Sequence, residues 1–163
     1  MTGDFQPELA LRVLREHGVD FVCIGGTAAV LQGANYVTFD LDVCPEENAD
    51  NLTRLSSALS ALNARVRVEG IDEGFAFAHD GASLARARMW NLLTDAGDLD
   101  ICFVPAGTTG YDDLVRAAVP MELDDQTILV ASLDDIIRSK RAADRDKDRL
   151  ALPVLEEIRD RLS

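Results

Sequence analysis

The chain has 163 residues, 47% of them hydrophobic, and a formal net charge of −13. That is enough apolar material for a single cored domain, while no apolar run approaches the roughly 20 residues that a membrane-spanning helix needs. Residues 1 to 131 carry 21 acids against 8 bases and residues 132 to 163 carry 8 of each, so the broad basic face of a duplex-tracking protein is missing.

Pro7 to His17 reads as an amphipathic helix with Leu9, Leu11 and Leu14 on its apolar side and Gly18 as its stop. Phe21 to Ile24 is an apolar strand that runs into Gly25-Gly26-Thr27. Two glycines there permit a tight turn and the close approach of another backbone or a phosphate. Thr27 to Gln32 follows as a short helix closed by Gly33, and Phe39 to Cys44 as a second strand that Pro45 ends. Alternate side chains of a strand share a face. Asp40 and Asp42 therefore point one way, with Phe39, Leu41 and Val43 expected in the core. Two carboxylates so placed make a divalent-metal site.

Glu47 to Leu62 repeats leucine at positions 52, 55, 59 and 62, a helix of about four turns. Ala64 to Val68 alternates Arg65 and Arg67 with valines, the mark of a half-exposed strand. Glycines punctuate Glu69 to Arg88, where Ser83 to Arg88 is the only helical stretch and His79 reads as a solvated loop residue. Met89 to Thr94 and Asp98 to Val104 form a hairpin around Asp95-Ala96-Gly97, and Asp100 sits between Leu99 and Ile101. Tyr111 to Ala117 is a short helix, and Met121 to Leu123 with Thr127 to Val130 form a last hairpin.

Ser132 to Ala143 begins with a capping pattern, Ser132 followed by Asp135, and its apolar stripe is Leu133, Ile136 and Ile137. Lys140 continues that stripe inward, an unexpected place for a structural lysine. A second helix, Lys147 to Leu162, has Pro153 near its start or kinking it. The whole is expected to be one domain over 1–163, with a core of about 7–130 and a helical segment of about 132–163. Fourteen of the sixteen basic residues are arginine. Both lysines, Lys140 and Lys147, fall in the local basic patch from Arg138 to Arg149, where a compact ammonium suits phosphate. Cys23, Cys44 and Cys102 lie in expected strands and read as reduced core thiols. With no basic-apolar-small leader pattern at the N-terminus, a cytoplasmic protein is expected.

The ordered set of Gly25-Gly26-Thr27, Asp40-Leu41-Asp42 about a dozen residues later, and Asp100 on another strand resembles the nucleotidyltransferase superfamily. That superfamily takes in polymerase-beta-like enzymes and small bacterial toxin and antitoxin proteins. The stretch Ser132 to Leu155, with Lys140-Arg141-Ala142-Ala143, Arg145 and Lys147-Asp148, is similar to the tail of the abortive-infection type. Thr27 replaces the usual serine, and Tyr36 stands where related proteins often carry a basic residue. The resemblance implies an α/β (α+β) fold, a mixed β-sheet flanked by helices with C-terminal helices. It also implies transfer of a nucleotidyl group from a nucleoside triphosphate to an RNA end or a protein side chain, within a toxin–antitoxin system. Asp40, Asp42 and Asp100 would hold Mg²⁺ or Mn²⁺, Asp100 serving also as base. Gly25, Gly26 and the Thr27 hydroxyl would cradle phosphates, with Lys140 and Lys147 supplying charge. The competing expectation is a non-catalytic partner, such as an antitoxin that keeps the fold and binds a cognate toxin.

Overall fold

A computed structural model describes residues 4–162. The elements run α1 (Pro7–Glu16), β1 (Phe21–Ile24), α2 (Gly25–Leu31), β2 (Asp40–Pro45), α3 (Ala49–Ala61), β3 (Arg65–Val68) and β4 (Ile71–Phe75). They continue as α4 (Gly81–Leu84), β5 (Met89–Thr94), β6 (Gly97–Cys102), α5 (Tyr111–Leu114), β7 (Val119–Leu123), β8 (Gln126–Val130), α6 (Leu133–Ala143) and α7 (Asp146–Leu162). The strands form one mixed sheet in the order β4-β3-β5-β6-β2-β1-β8-β7. β2 pairs antiparallel with β1 and parallel with β6, and β6 pairs antiparallel with β5.

The alternation read from the sequence sorts the central strands into two faces. Leu41 and Val43 of β2 and Leu99 and Ile101 of β6 are buried, while Asp40, Asp42, Asp98 and Asp100 keep access to the other side. α1 and α3 bring Leu11, Leu14, Leu52, Leu55 and Leu59 into the same core. Burying each such side chain contributes on the order of 1.5–3 kcal/mol. α3 is capped by Asn48, whose side chain accepts from the Asn51 amide. Asn51 itself is fully buried. Its Oδ1 accepts from Asp20 N at 2.8 Å, and its Nδ2 donates to Asp20 O at 2.9 Å and Glu46 O at 2.7 Å. One side chain thus ties the entry of β1 to the chain leaving β2.

Several expectations need correction. Phe39 is 75% exposed, because the ladder of β2 begins only at Asp40 and Phe39 precedes it. Pro45 belongs to β2 instead of ending it, and helix α2 starts at Gly25, two residues early. Strand β4 was invisible to alternation: Ile-Asp-Glu-Gly-Phe is exposed at nearly every position on the sheet's outer edge, with Gly74 at φ +66 where a Cβ would lie 2.5 Å from Val66 O. α4 is set by the Asp80–Ser83 capping box and ends before Arg86. His79 does lie in the loop between β4 and α4, but it is half-buried there and not fully solvated. Its Nδ1 is 2.7 Å from Ser56 Oγ, its ring lies 4.7 Å from that of Phe77, and burial lowers its pKa. Among the described residues no helix is long and apolar enough to cross a membrane.

Candidate active site

The register of three strands builds the site. In the parallel β2–β6 pair Asp42 is opposite Asp100 and Asp40 opposite Asp98, while Ile24, the last residue of β1, is opposite Asp42. The chain must therefore leave β1 beside the Asp42 carboxylate, and it does so at Gly25, where φ is +69 and a Cβ would lie 2.2 Å from Asp42 Oδ2. Both the backbone conformation and the contact require glycine there. At Gly26 a Cβ would meet Thr38 Oγ1 at 2.9 Å, so the turn is held from its far side too.

Asp40, Asp42 and Asp100 each offer a carboxylate oxygen within 4.8 Å of the others. Burial first, then the neighbouring Asp40 and Asp100 charges, push the Asp42 pKa up to about 7, with Lys147 pulling the other way. The Asp100 pKa is also raised by burial, against the pull of Arg67. A cluster of hard oxygen donors at these separations, with charge its own cations leave unbalanced, fits Mg²⁺ or Mn²⁺. The same residues would otherwise have to keep like charges close together.

These side chains floor a cleft of about 950 Å³ that Gly25, Gly26, Lys140 and Lys147 also line. Lys147 is exposed and has no ion-pair partner among the described residues. Lys140 has one. Its ammonium is 3.5 Å from Oδ1 of the fully buried Asp148, which also takes Arg145 Nε at 2.7 Å and the Arg145 backbone amide at 3.1 Å. The inward position of Lys140 therefore has a structural reason that spacing could not show, since Asp148 lies eight residues away on the next helix. Thr27 is buried and its hydroxyl donates to the Asp40 carbonyl at 3.1 Å. It faces a smaller cavity together with Val30 and Leu31, so it braces β2 instead of lining the cleft. Tyr36 flanks Gly26 in the cleft wall.

Sequence reasoning missed Arg67. From β3 it reaches across β5 to place Nη2 2.8 Å from Asp100 Oδ1 and Nη1 3.3 Å from Asp98 Oδ2, while Nη1 also donates to Leu92 O at 3.3 Å. The Arg-x-Arg alternation was legible, but not that β3 would stand two strands from Asp100. Cys23 and Cys44 are buried, and Cys102 lines the cleft. Burial pushes the Cys44 thiol up to about 12 and raises the other two, so none is a ready thiolate.

No protein-family model and no curated protein matches the chain. Solved structures do. A lincosamide antibiotic adenylyltransferase, LnuA, with lincomycin bound aligns over 96% of this chain and 99% of its own at a TM-score of 0.62 and 15% identity. The chain has the nucleotidyltransferase fold. A Thermotoga maritima protein described provisionally as a nucleotidyltransferase aligns over 93% of this chain and 94% of its own, at a TM-score of 0.52 and 20% identity. At such identities the likeness is one of fold, and any chemistry rests on the side chains that line the cleft.

Proposed function

We propose that the protein transfers a nucleotidyl group from a nucleoside triphosphate to a hydroxyl acceptor, in a reaction that depends on a divalent metal. The observation that carries this reading is the convergence of Asp40, Asp42 and Asp100 beside a glycine turn that fits only because Gly25 has no side chain. Asp40 and Asp42 would hold Mg²⁺ or Mn²⁺ together with Asp100. The bound ion supplies neutralisation of charge on the α-phosphate. Gly25 and Gly26, at the start of α2, let the turn lie against Asp42 and Thr38, where its backbone N–H groups can meet the β- and γ-phosphates, and Lys147 supplies the free ammonium for them. Lys140 acts on phosphate only as far as Asp148 leaves it charge to share. Asp100, whose basicity burial raises, takes the proton of the acceptor hydroxyl.

An RNA end and a protein side chain are the acceptors that the sequence resemblance suggests, within a toxin–antitoxin setting. The lincosamide bound to one neighbour adds a small molecule as a third. A non-catalytic antitoxin on the same fold is the competing reading. It gives no reason for three carboxylates to converge where one is pushed up to about 7, an arrangement that costs stability and serves metal chemistry. Titration calorimetry with each nucleoside triphosphate, with and without Mg²⁺, tests the proposal. Metal-dependent binding lost in Asp42→Asn is expected, and the absence of binding by every triphosphate would leave the non-catalytic reading.

A further inference from the structure

The strand order divides the cleft into two flanks of unlike chemistry. On one side of β2 and β6 lie β1, the Gly25-Gly26 turn and, on the C-terminal helices, Lys147. On the other lie β5 and β3, which present Arg67, Met89 and Asn91 to the same cleft, with Cys102 at the end of β6. Asn91 is opposite Asp100 and Met89 opposite Cys102 in the β5–β6 pair, so all four share the carboxylates' face. A triphosphate seated on the first flank leaves the second for the group that attacks it.

Resting on the proposed transfer activity, we infer that the β3–β5 flank is the acceptor subsite and that it takes a small, hydroxyl-bearing compound with apolar surface and no negative charge, not a polynucleotide or a protein. Arg67 is the one cation among the described residues that line this flank, and its guanidinium is committed to Asp98 and Asp100. A phosphodiester chain entering here would meet carboxylates with no free positive charge to offset them, on a molecule of net charge −13. The groups left to greet an acceptor are neutral: the half-exposed Met89 thioether, the exposed Asn91 amide and the Cys102 thiol. An exposed methionine beside a polar amide suits an amphipathic ligand. The Asp100 side chain is only 14% exposed, so the hydroxyl has to be carried into a recess, and the cleft of about 950 Å³, shared with the triphosphate, leaves an acceptor space on the scale of a small molecule.

In the step itself the acceptor oxygen bonds to the α-phosphorus while the bond from that phosphorus to the β-bridging oxygen breaks. Pyrophosphate leaves with the bonding pair, and the hydroxyl proton passes to Asp100. The experiment offers the protein, Mn²⁺ and each α-labelled nucleoside triphosphate three acceptor pools from a bacterial lysate: a low-molecular-weight filtrate, total RNA and the protein fraction. Label is expected in the filtrate. Met89→Trp, which fills the subsite from an exposed position, should cut that transfer about tenfold or more while triphosphate affinity by calorimetry and the melting temperature hold. Label in RNA or protein, or transfer unaffected by Met89→Trp, overturns this inference and leaves nucleotidyl transfer standing. Label in no fraction, with triphosphate still bound, removes both.

Discussion

Asp42→Asn tests the cluster through stability alone, with no need to know the reaction. Burial and two neighbouring carboxylates push Asp42 from an ordinary 3.8 up to about 7. Because the folded pKa lies above the unfolded one, the stabilising, protonated form is fully present below about pH 4. That contribution is lost as pH rises to about 7. The gap of about three units corresponds to about 4 kcal/mol at 1.36 kcal/mol per unit, an upper bound for the residue because relief is shared with Asp100. In a chain of this size 1 kcal/mol moves the melting temperature by about 2–4 °C. Asp42→Asn should therefore melt several degrees above wild type at pH 8 and converge on it near pH 4. Adding Mn²⁺ at about 100 times its dissociation constant should stabilise wild type by about 2.7 kcal/mol and leave the variant unmoved. Melting curves at the two pH values, with and without Mn²⁺, decide the matter. Identical pH dependence in both proteins would refute the electrostatic argument, and an equal metal shift would refute the site.

The two lysines should separate. Lys147→Met, which removes a free cation, should weaken triphosphate binding by about 1–3 kcal/mol with an unchanged melting temperature. Lys140→Met should instead lower the melting temperature by exposing the buried Asp148 to a partial loss of partners; calorimetry and melts on both variants read the two effects. Gly25→Ala should cost about 1–3 kcal/mol from its φ of +69 and abolish the Mn²⁺ melting shift, because the new methyl would displace the Asp42 carboxylate. Asn51→Ala, which leaves Asp20 N and O and Glu46 O without their buried partner, should destabilise by about 2–4 kcal/mol in chemical denaturation, with metal affinity retained.

What the sequence made legible was the part that a period of two or a fixed spacing controls. Asp40 and Asp42 share a face because any strand would make them do so, and the glycine turn precedes them by a spacing that lets β1 and β2 lie side by side. Asp100 joined them only through a resemblance, since nothing local says that β6 pairs parallel with β2 in a register that sets Asp100 opposite Asp42. The same limit hid Arg67, whose partners lie 31 and 33 residues away, and Asp148, whose burial depends on how α7 returns against α6. Phe39 shows the converse failure. Alternation gave it the right parity for the core, but burial needs a neighbouring strand, and the ladder starts one residue later. Strand β4 has no alternation to read because both its faces are largely exposed; its hydrogen bonds to β3 define it.

The charges lining the cleft also fix the order in which ligands can profit from it. Among the described residues four cations line it, yet Arg67 is taken by Asp98 and Asp100, and Lys140 and Arg145 share Asp148. On the proposed function, Lys147 is left to face a triphosphate lying against Asp40, Asp42 and Asp100. An unmetallated triphosphate would bring several negative charges to three carboxylates with one ammonium between them, so each anion would raise the cost of the other. A divalent ion reverses the sign of that interaction, and by linkage whatever it adds to triphosphate affinity the triphosphate returns to metal affinity. The paired arginines are thus part of the device: a freely mobile guanidinium at Asp100 could satisfy a triphosphate alone, whereas Arg67, tied to Asp98, Asp100 and the Leu92 carbonyl, holds the carboxylate without offering its charge to the phosphates.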